Sequence, residues 1–339
     1  ALTCHQFHKR STNHQLVRKE NTIEVPEYTI ANLQTLFEQR EWTSVDLCKA
    51  FLSRISEIDA AGPTLRSVIE VNPDALSIAE LLDRERDQNG PRGPLHGVPV
   101  FIKDSIDSAD KMQTTAGSLA LEGNFAPQDA FLVKKLRDAG AVLLGKTNMS
   151  EWGYMRSTRG CSGWSSRGGQ VRNPYVLDRS PLGSSSGSAV AVAANLCIAA
   201  IGAEVDGSIV RPSSSNSIVG LKPTVGLISR SGIIGVSSPQ DTAGPMARSV
   251  ADVATVLTAL TGVDPGDPVT QESADQCEQD YCQFLDTDAI KGARLGVARE
   301  CMGDHEGTDT VIENAIRQLE ALGAVIVDPV QASSLPMFG

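Results

Sequence analysis

The chain has 339 residues, of which 41% are hydrophobic and 21% are charged, with a formal net charge of −11. This composition is typical of a globular protein that forms one large α/β domain or two smaller ones. The acidic balance, with no dense run of lysine and arginine beyond Lys9-Arg10, argues against a nucleic acid as a direct partner. The most apolar stretch, Ala189 to Ala203, is interrupted by Asn195 and is shorter than the ~20 residues of a membrane-spanning helix, so we expect no membrane partner.

The first 25 residues are polar and predict an N-terminal arm. Their three histidines, His5, His8 and His14, are compatible with a metal site, but a polar arm is the favoured interpretation. The seven cysteines are scattered without CxxC spacing, which favours reduced thiols and argues against a zinc site. We therefore expect a cytoplasmic protein, with a processed secreted form as the alternative.

The periodicity of apolar residues predicts alternating helices and strands. Between Tyr28 and Ile58 it indicates two helices, the second capped at Thr43. Further helices are predicted at 72–87, 129–139, 188–195, 249–257 and 310–322, and strands at 98–102, 141–144, 198–205, 295–298 and 324–327. Residues 262–270, rich in Pro, Gly and Asp, predict a surface loop. The alternation of strands and helices indicates an α/β sheet protein.

Two serine-containing turns are candidates for nucleophilic chemistry. The run Gly183-Ser184-Ser185-Ser186-Gly187-Ser188 opens onto a predicted helix, but it lacks the lysine of a nucleotide-binding loop. Ser208 follows a predicted strand in Asp206-Gly207-Ser208, where glycine permits a sharp turn. Such a turn can present a hydroxyl beside backbone N–H groups that stabilise an oxyanion.

Lys103 is the candidate base. It ends the apolar run 98–102, where a charged lysine is costly and burial lowers its pKa. The alternative, an ion pair with Asp104 or Asp107, stays open on spacing alone. His96 is the only histidine in apolar surroundings and is better explained as a core residue, and no GxSxG motif is present.

Taken together, these motifs resemble the amidase signature family, most closely its bacterial peptide amidase branch. The resemblance runs from about Tyr28 to about Pro329 and is densest between Asn173 and Asp252, where it includes residues 179–181, 183–188, 220–224 and 241–252. It implies an α/β amidase signature fold with a large mixed central sheet covered by helices on both faces. It also implies that residues 26–339 form one amidase signature domain that lacks the C-terminal segment of the family.

The resemblance implies a Ser–cis-Ser–Lys triad and an acyl-enzyme. Lys103 matches the family lysine, Ser184 the serine that follows a cis peptide bond, and Ser208 the nucleophile. The expected oxyanion hole consists of the backbone N–H groups of Val205, Asp206, Gly207 and Ser208. No metal and no cofactor is implied. The expected substrate is a small-molecule or peptide amide, above all a C-terminal peptide amide or similar primary amide, and the expected state a monomer or homodimer.

Substrate contacts are expected from Trp152, Gly153, Ser185 and Arg211. The chain also departs from the family pattern at Leu182, Arg211 and Ser217. Arg211 stands three residues after the nucleophile, where peptide amidases have a small side chain, and a cation there alters the pocket or stabilises an acidic substrate. Ser217 replaces a glycine and is expected to strain the backing of the site.

Three other functions stay open at this stage. The first is an aryl or fatty acid amidase, although only 4% of residues are aromatic. The second is an enzyme like the glutamyl-tRNA amidotransferases of this family, in which arginine follows the nucleophile by two; Val210 stands there in this chain. The third is a truncated, inactive binding protein, which the presence of all three triad residues argues against.

Overall fold

The computed structural model describes residues 25–331, which fall into two compact units divided after Cys282. The N-terminal arm predicted for residues 1–25 lies, apart from its last residue, outside the described part. A single domain over 26–339 stays a prediction. No helix within residues 25–331 is long and apolar enough to cross a membrane.

The strands of the first unit are β1 (Val68–Val71), β2 (Pro99–Lys103), β3 (Val142–Thr147), β4 (Trp164–Ser165), β5 (Gly169–Gln170), β6 (Ala199–Glu204), β7 (Val219–Gly220) and β8 (Thr242–Ala247). Six of them form a mixed sheet in the order β1-β3-β2-β6-β8-β7. Strand β2 runs parallel to both β3 and β6, whereas β8 is antiparallel to β6 and β7, and β1 is antiparallel to β3. The two short antiparallel strands β4 and β5 form a separate pair.

Helices cover this sheet. Every residue of β2, β3 and β8 is buried, and successive side chains of a strand point to opposite faces, so both faces are covered. The expected α/β fold with a mixed central sheet is confirmed. The helices are α1 (Ile30–Glu38), α2 (Ser44–Arg54), α3 (Ala75–Asn89), α4 (Phe131–Asp138), α5 (Ser186–Ala193), α6 (Val210–Ser215) and α7 (Val250–Leu260).

The second unit is a strand–helix–strand arrangement. It consists of β9 (Arg294–Gly296), α8 (Glu306–Ala321) and β10 (Val325–Val327). Strands β9 and β10 pair in parallel, as a helical crossover requires. The two strands and the helix predicted for this region are present with shifted ends.

Strands β1, β4, β5, β7 and β8 and helix α6 were not predicted, and the predictions for β3 and for residues 262–270 differ from the structure. Strand β8 was missed because Gly244 and Pro245 argue against a strand. Strand β3 extends three residues beyond its predicted end, and Lys146, which lies in this extension, is fully buried. The surface-loop prediction for 262–270 was wrong in part: Asp264 and Asp267 are buried, because Ser229 Oγ donates to Asp264 at 2.5 Å and Arg230 forms an ion pair with Asp267.

Candidate active site

The candidate residues meet at one edge of the sheet. Strands β2, β3 and β6 are mutually parallel neighbours and end at Lys103, Thr147 and Glu204. The run from Gly183 to Ser188, which we call the serine loop, leads into α5, and the turn with Ser208 follows β6 directly. Ligands bind at the carboxyl ends of parallel strands in α/β proteins, so this edge is where a site is expected.

Lys103 contacts the serine loop directly. Its Nζ lies 2.8 Å from Ser184 Oγ and 2.9 Å from the carbonyl oxygen of Ala203. The Gly183-Ser184 peptide bond is cis, as the family resemblance implies. Both side chains are buried, so this hydrogen bond lies in a largely water-free environment. The alternative for Lys103 was an ion pair with Asp104 or Asp107. Within residues 25–331, no salt bridge joins Lys103 to either carboxylate, and its amine contacts Ser184 instead.

Burial brings the pKa of Lys103 close to neutral pH. Desolvation disfavours its ammonium form and lowers its pKa to about 7, although the carboxylates of Glu204 and Asp241 act in the opposite direction. At that pKa the neutral amine is well populated at pH 7. A neutral Lys103 can donate one N–H to Ala203 and accept the hydroxyl proton of Ser184.

Ser208 is held beside the serine loop by backbone contacts. The N–H of Ser185 donates to the carbonyl oxygen of Ser208 at 3.1 Å. The Ser185 hydroxyl is fully buried and bonds Ala203, donating to its carbonyl at 3.1 Å and accepting its N–H at 3.2 Å. Ser185 thereby joins the loop to the end of β6, and its expected contact with substrate stays a prediction. The backbone of Ser208 is thus joined to the residue that follows Ser184, and Ser184 Oγ contacts Lys103.

Glu204 was not anticipated and organises the turn that carries Ser208. Its buried carboxylate accepts the N–H groups of Gly207 at 2.9 Å, Ile209 at 2.6 Å and Val210 at 3.0 Å. The available signal was an acidic residue closing an apolar strand just before a glycine turn. Gly207, with φ of 72°, uses its N–H for Glu204, so its expected oxyanion contact stays a prediction.

Three of the four expected oxyanion donors remain available. Among the residues that the structure describes, no acceptor pairs with the N–H groups of Val205, Asp206 or Ser208. Their positions next to the candidate nucleophile are what an oxyanion hole needs.

We expect Glu204→Gln to lower kcat by about 10- to 100-fold, because a Gln side chain has one acceptor oxygen for three N–H donors and the turn loosens. The change also removes a negative charge that raises the Lys103 pKa, so the rising limb of the pH–rate profile should move to lower pH. A matched control is Asp252→Asn, a buried carboxylate at the start of α7 that accepts the N–H of Ile30 at 2.8 Å. A limb that stays in place in Glu204→Gln would contradict this electrostatic coupling.

The segment with Trp152 and Gly153 is attached to the serine loop. The N–H of Ser150 donates to the carbonyl oxygen of Ser184 at 3.0 Å, and the N–H of Trp152 donates to Ala116 at 3.0 Å. Trp152, Gly153 and the next residue all have positive φ, between 52° and 75°. The half-buried Trp152 ring lies under a guanidinium, with Arg156 Cζ 5.6 Å from its centroid. The contact of this segment with substrate stays a prediction.

Two of the sequence departures show a left-handed backbone. Leu182 and Ser217 both have φ of 55°, a region that favours glycine. The strain expected from serine in place of glycine at Ser217 therefore has a structural basis. Leu182 is held by its neighbour, since Ser186 Oγ donates to its carbonyl at 2.5 Å.

A second group of buried charges lies beside the site. Asp104 accepts the N–H of Gly117 at 2.8 Å and lies 3.6 Å from the guanidinium of Arg167. Lys146 donates to the carbonyl of Ile106 at 2.5 Å, and burial lowers its pKa to about 8.

His96 lies in the core as expected, fully buried with Nε2 2.8 Å from the carbonyl of Leu82. Within residues 25–331, no cluster of three or more His, Cys, Asp or Glu side chains is arranged to hold a metal ion.

Comparison with known proteins decides the family. The family model described as Amidase matches residues 46–338. The chain belongs to the amidase family. The chain is 54% identical to the native peptide amidase from Stenotrophomonas maltophilia, whose crystal structure superposes with a TM-score of 0.86 over 90% of this chain.

Curated amidases and amidotransferases show the same relationship. A probable amidase of Arabidopsis thaliana is 45% identical over 92% of this chain. A glutamyl-tRNA(Gln) amidotransferase chain of Thermoanaerobacter pseudethanolicus is 38% identical over 90% of it. The chain spans 60% of the length of each of these two relatives and 62% of the peptide amidase chain.

Proposed function

We propose that this chain carries the catalytic centre of an amidohydrolase that cleaves linear carboxamides, above all C-terminal peptide amides and similar primary amides. The observation that carries the proposal is the 2.8 Å contact between the buried Lys103 amine and Ser184 Oγ, beside the turn that presents Ser208. No histidine is needed in such an arrangement, because a desolvated lysine supplies the base.

The proposed reaction begins with two linked proton transfers. Ser208 gives its hydroxyl proton to Ser184 as Ser184 gives its own to neutral Lys103, and Ser208 Oγ attacks the amide carbon. The oxyanion accepts hydrogen bonds from the N–H groups of Val205, Asp206 and Ser208. The C–N bond then breaks, and the proton returns from Lys103 through Ser184 to the leaving nitrogen, which departs as ammonia.

Water completes the cycle. It attacks the acyl-Ser208 ester, gives a proton through Ser184 to Lys103, and releases the carboxylic acid, after which the proton returns to Ser208. Each step uses the same base and relay, so the enzyme returns to its starting protonation state. The amide and water are therefore the only reactants that the proposed cycle consumes.

Similarity to the peptide amidase from Stenotrophomonas maltophilia, at 54% identity, supports peptide amides as the first substrate class to test. The glutamyl-tRNA(Gln) amidotransferase relatives, at 38–39% identity, make glutamine the informative competitor. Val210 stands two residues after Ser208, where the amidotransferase pattern has arginine. This difference favours hydrolysis of peptide amides over use of glutamine.

The test is ammonia release by the chain from N-acetyl-Met-NH2, benzamide, oleamide and glutamine. We expect the peptide amide to give the highest kcat/KM, because the chain is 54% identical to a peptide amidase. We expect glutamine to give the lowest, because Val210 stands where the amidotransferase pattern has arginine. A Ser208→Ala preparation serves as the background control. Exclusive use of glutamine would favour an amidotransferase-like enzyme, and no release from any amide would overturn the proposed function.

A further inference from the structure

Arg211 places a cation directly over the turn that carries the candidate nucleophile. It is the second residue of α6, and its N–H donates to the carbonyl oxygen of Gly207 at 2.9 Å. Side chains on a helix tilt toward its N-terminus, so the stem of Arg211 extends back toward the turn. A Cβ built on Gly207 would lie 2.9 Å from Arg211 Cγ and 3.7 Å from Arg211 Nε.

None of the residues 25–331 pairs with the guanidinium of Arg211. Arg211 is exposed, and within residues 25–331 no carboxylate lies within 4.0 Å of it. The nearby Glu204 carboxylate is occupied by three backbone N–H groups. By contrast Arg167 and Arg230, which also lie in the first unit, are each paired with a carboxylate. A guanidinium at this place that is not used internally is available to a substrate anion.

We propose that Arg211 is a specificity-determining residue that favours, among C-terminal peptide amides, those whose last residue has a carboxylate side chain, namely glutamyl and aspartyl amides. The inference rests on the proposed function, in which ammonia is the leaving group. Ammonia carries no recognition element, so any group that the protein selects must belong to the acyl part. That part stays attached to Ser208, one residue from Gly207, over which Arg211 lies.

The test compares three amides that differ mainly in side-chain charge: N-acetyl-Glu-NH2, N-acetyl-Met-NH2 and N-acetyl-Lys-NH2. At low salt we expect kcat/KM for the glutamyl amide to exceed that for the methionyl amide by about fivefold, the upper range for an exposed ion pair. The difference should appear in KM and shrink as salt screens the charges. The ratio within each variant is the readout, so a general loss of activity cancels.

Arg211→Met should bring the Glu-to-Met ratio to one or below, Arg211→Lys should retain part of it, and Arg211→Glu should shift preference to the lysyl amide. The matched control is Arg84→Met, an exposed arginine on α3 whose removal should leave the ratio unchanged. An unchanged ratio in Arg211→Met, or equal turnover of the glutamyl and methionyl amides by the parent chain, would overturn this inference alone. Failure to hydrolyse any of the three amides would instead overturn the proposed function, and the inference with it.

Discussion

Ser208→Ala should abolish covalent labelling by a fluorophosphonate probe and reduce kcat/KM for a peptide amide by at least about 10⁴-fold, as loss of a serine nucleophile does in other hydrolases. The reason is that the carbonyl of Ser208 accepts the N–H of Ser185, which follows the Ser184 that Lys103 contacts, and that no acceptor within residues 25–331 pairs with the N–H groups of Val205, Asp206 or Ser208. Labelling is followed by intact-protein mass spectrometry and the labelled residue by peptide mapping.

The matched control for this result is Ser213→Ala. Ser213 is also buried, on the helix that follows the turn, but its hydroxyl donates to the carbonyl of Ile209 at 2.7 Å and so serves the backbone. Its removal should leave labelling intact. Labelling that survives in Ser208→Ala would show that another serine is the nucleophile.

The chemistry of Lys103 was predictable because its context is local. An apolar run that ends in lysine predicts burial, and burial predicts a lowered pKa. The choice between a base and an ion pair with Asp104 was not predictable from spacing. The structure separates the two residues: Lys103 bonds Ser184, whereas Asp104 accepts the N–H of Gly117 and lies near Arg167.

The roles of Glu204 and Arg211 depend on how the chain folds back on itself. Glu204 reaches three N–H groups only because the turn after β6 closes tightly around Gly207. The approach of Arg211 to Gly207 likewise requires α6 to start at Val210, and this short helix with an internal proline gave no periodic signal.

The central parallel strands of the sheet were predictable from the sequence, and its antiparallel strands were not. Strands β2 and β6 were expected because they are short runs of apolar residues between turn signals. Strand β8 contains Gly244 and Pro245, and its pairing with β6 comes from tertiary contacts. The sequence pattern therefore identified the parallel strands that place the site and missed the three antiparallel strands of the same sheet, β1, β7 and β8.

Lys103→Met should reduce kcat/KM by about 10³- to 10⁴-fold and remove the rising limb of the pH–rate profile. In the parent chain the Lys103 pKa is about 7, so activity should rise with pH through 7 as the ammonium becomes a neutral amine. Below that pH, each unit should lower kcat/KM about tenfold, because only the neutral amine accepts the proton of Ser184. The profile is measured by ammonia release from N-acetyl-Met-NH2 between pH 5 and 10.

Lys146→Met is the matched control because Lys146 is a second buried lysine on the neighbouring strand, with a pKa lowered to about 8. Its amine donates to the carbonyl of Ile106 and to Thr114 Oγ1, so its loss should lower the melting temperature without moving the rising limb near pH 7. A rising limb that persists in Lys103→Met, or disappears in Lys146→Met, would assign the titration to another group. Loss of the rising limb in Lys103→Met together with its retention in Lys146→Met would identify the Lys103 amine as the base of the reaction.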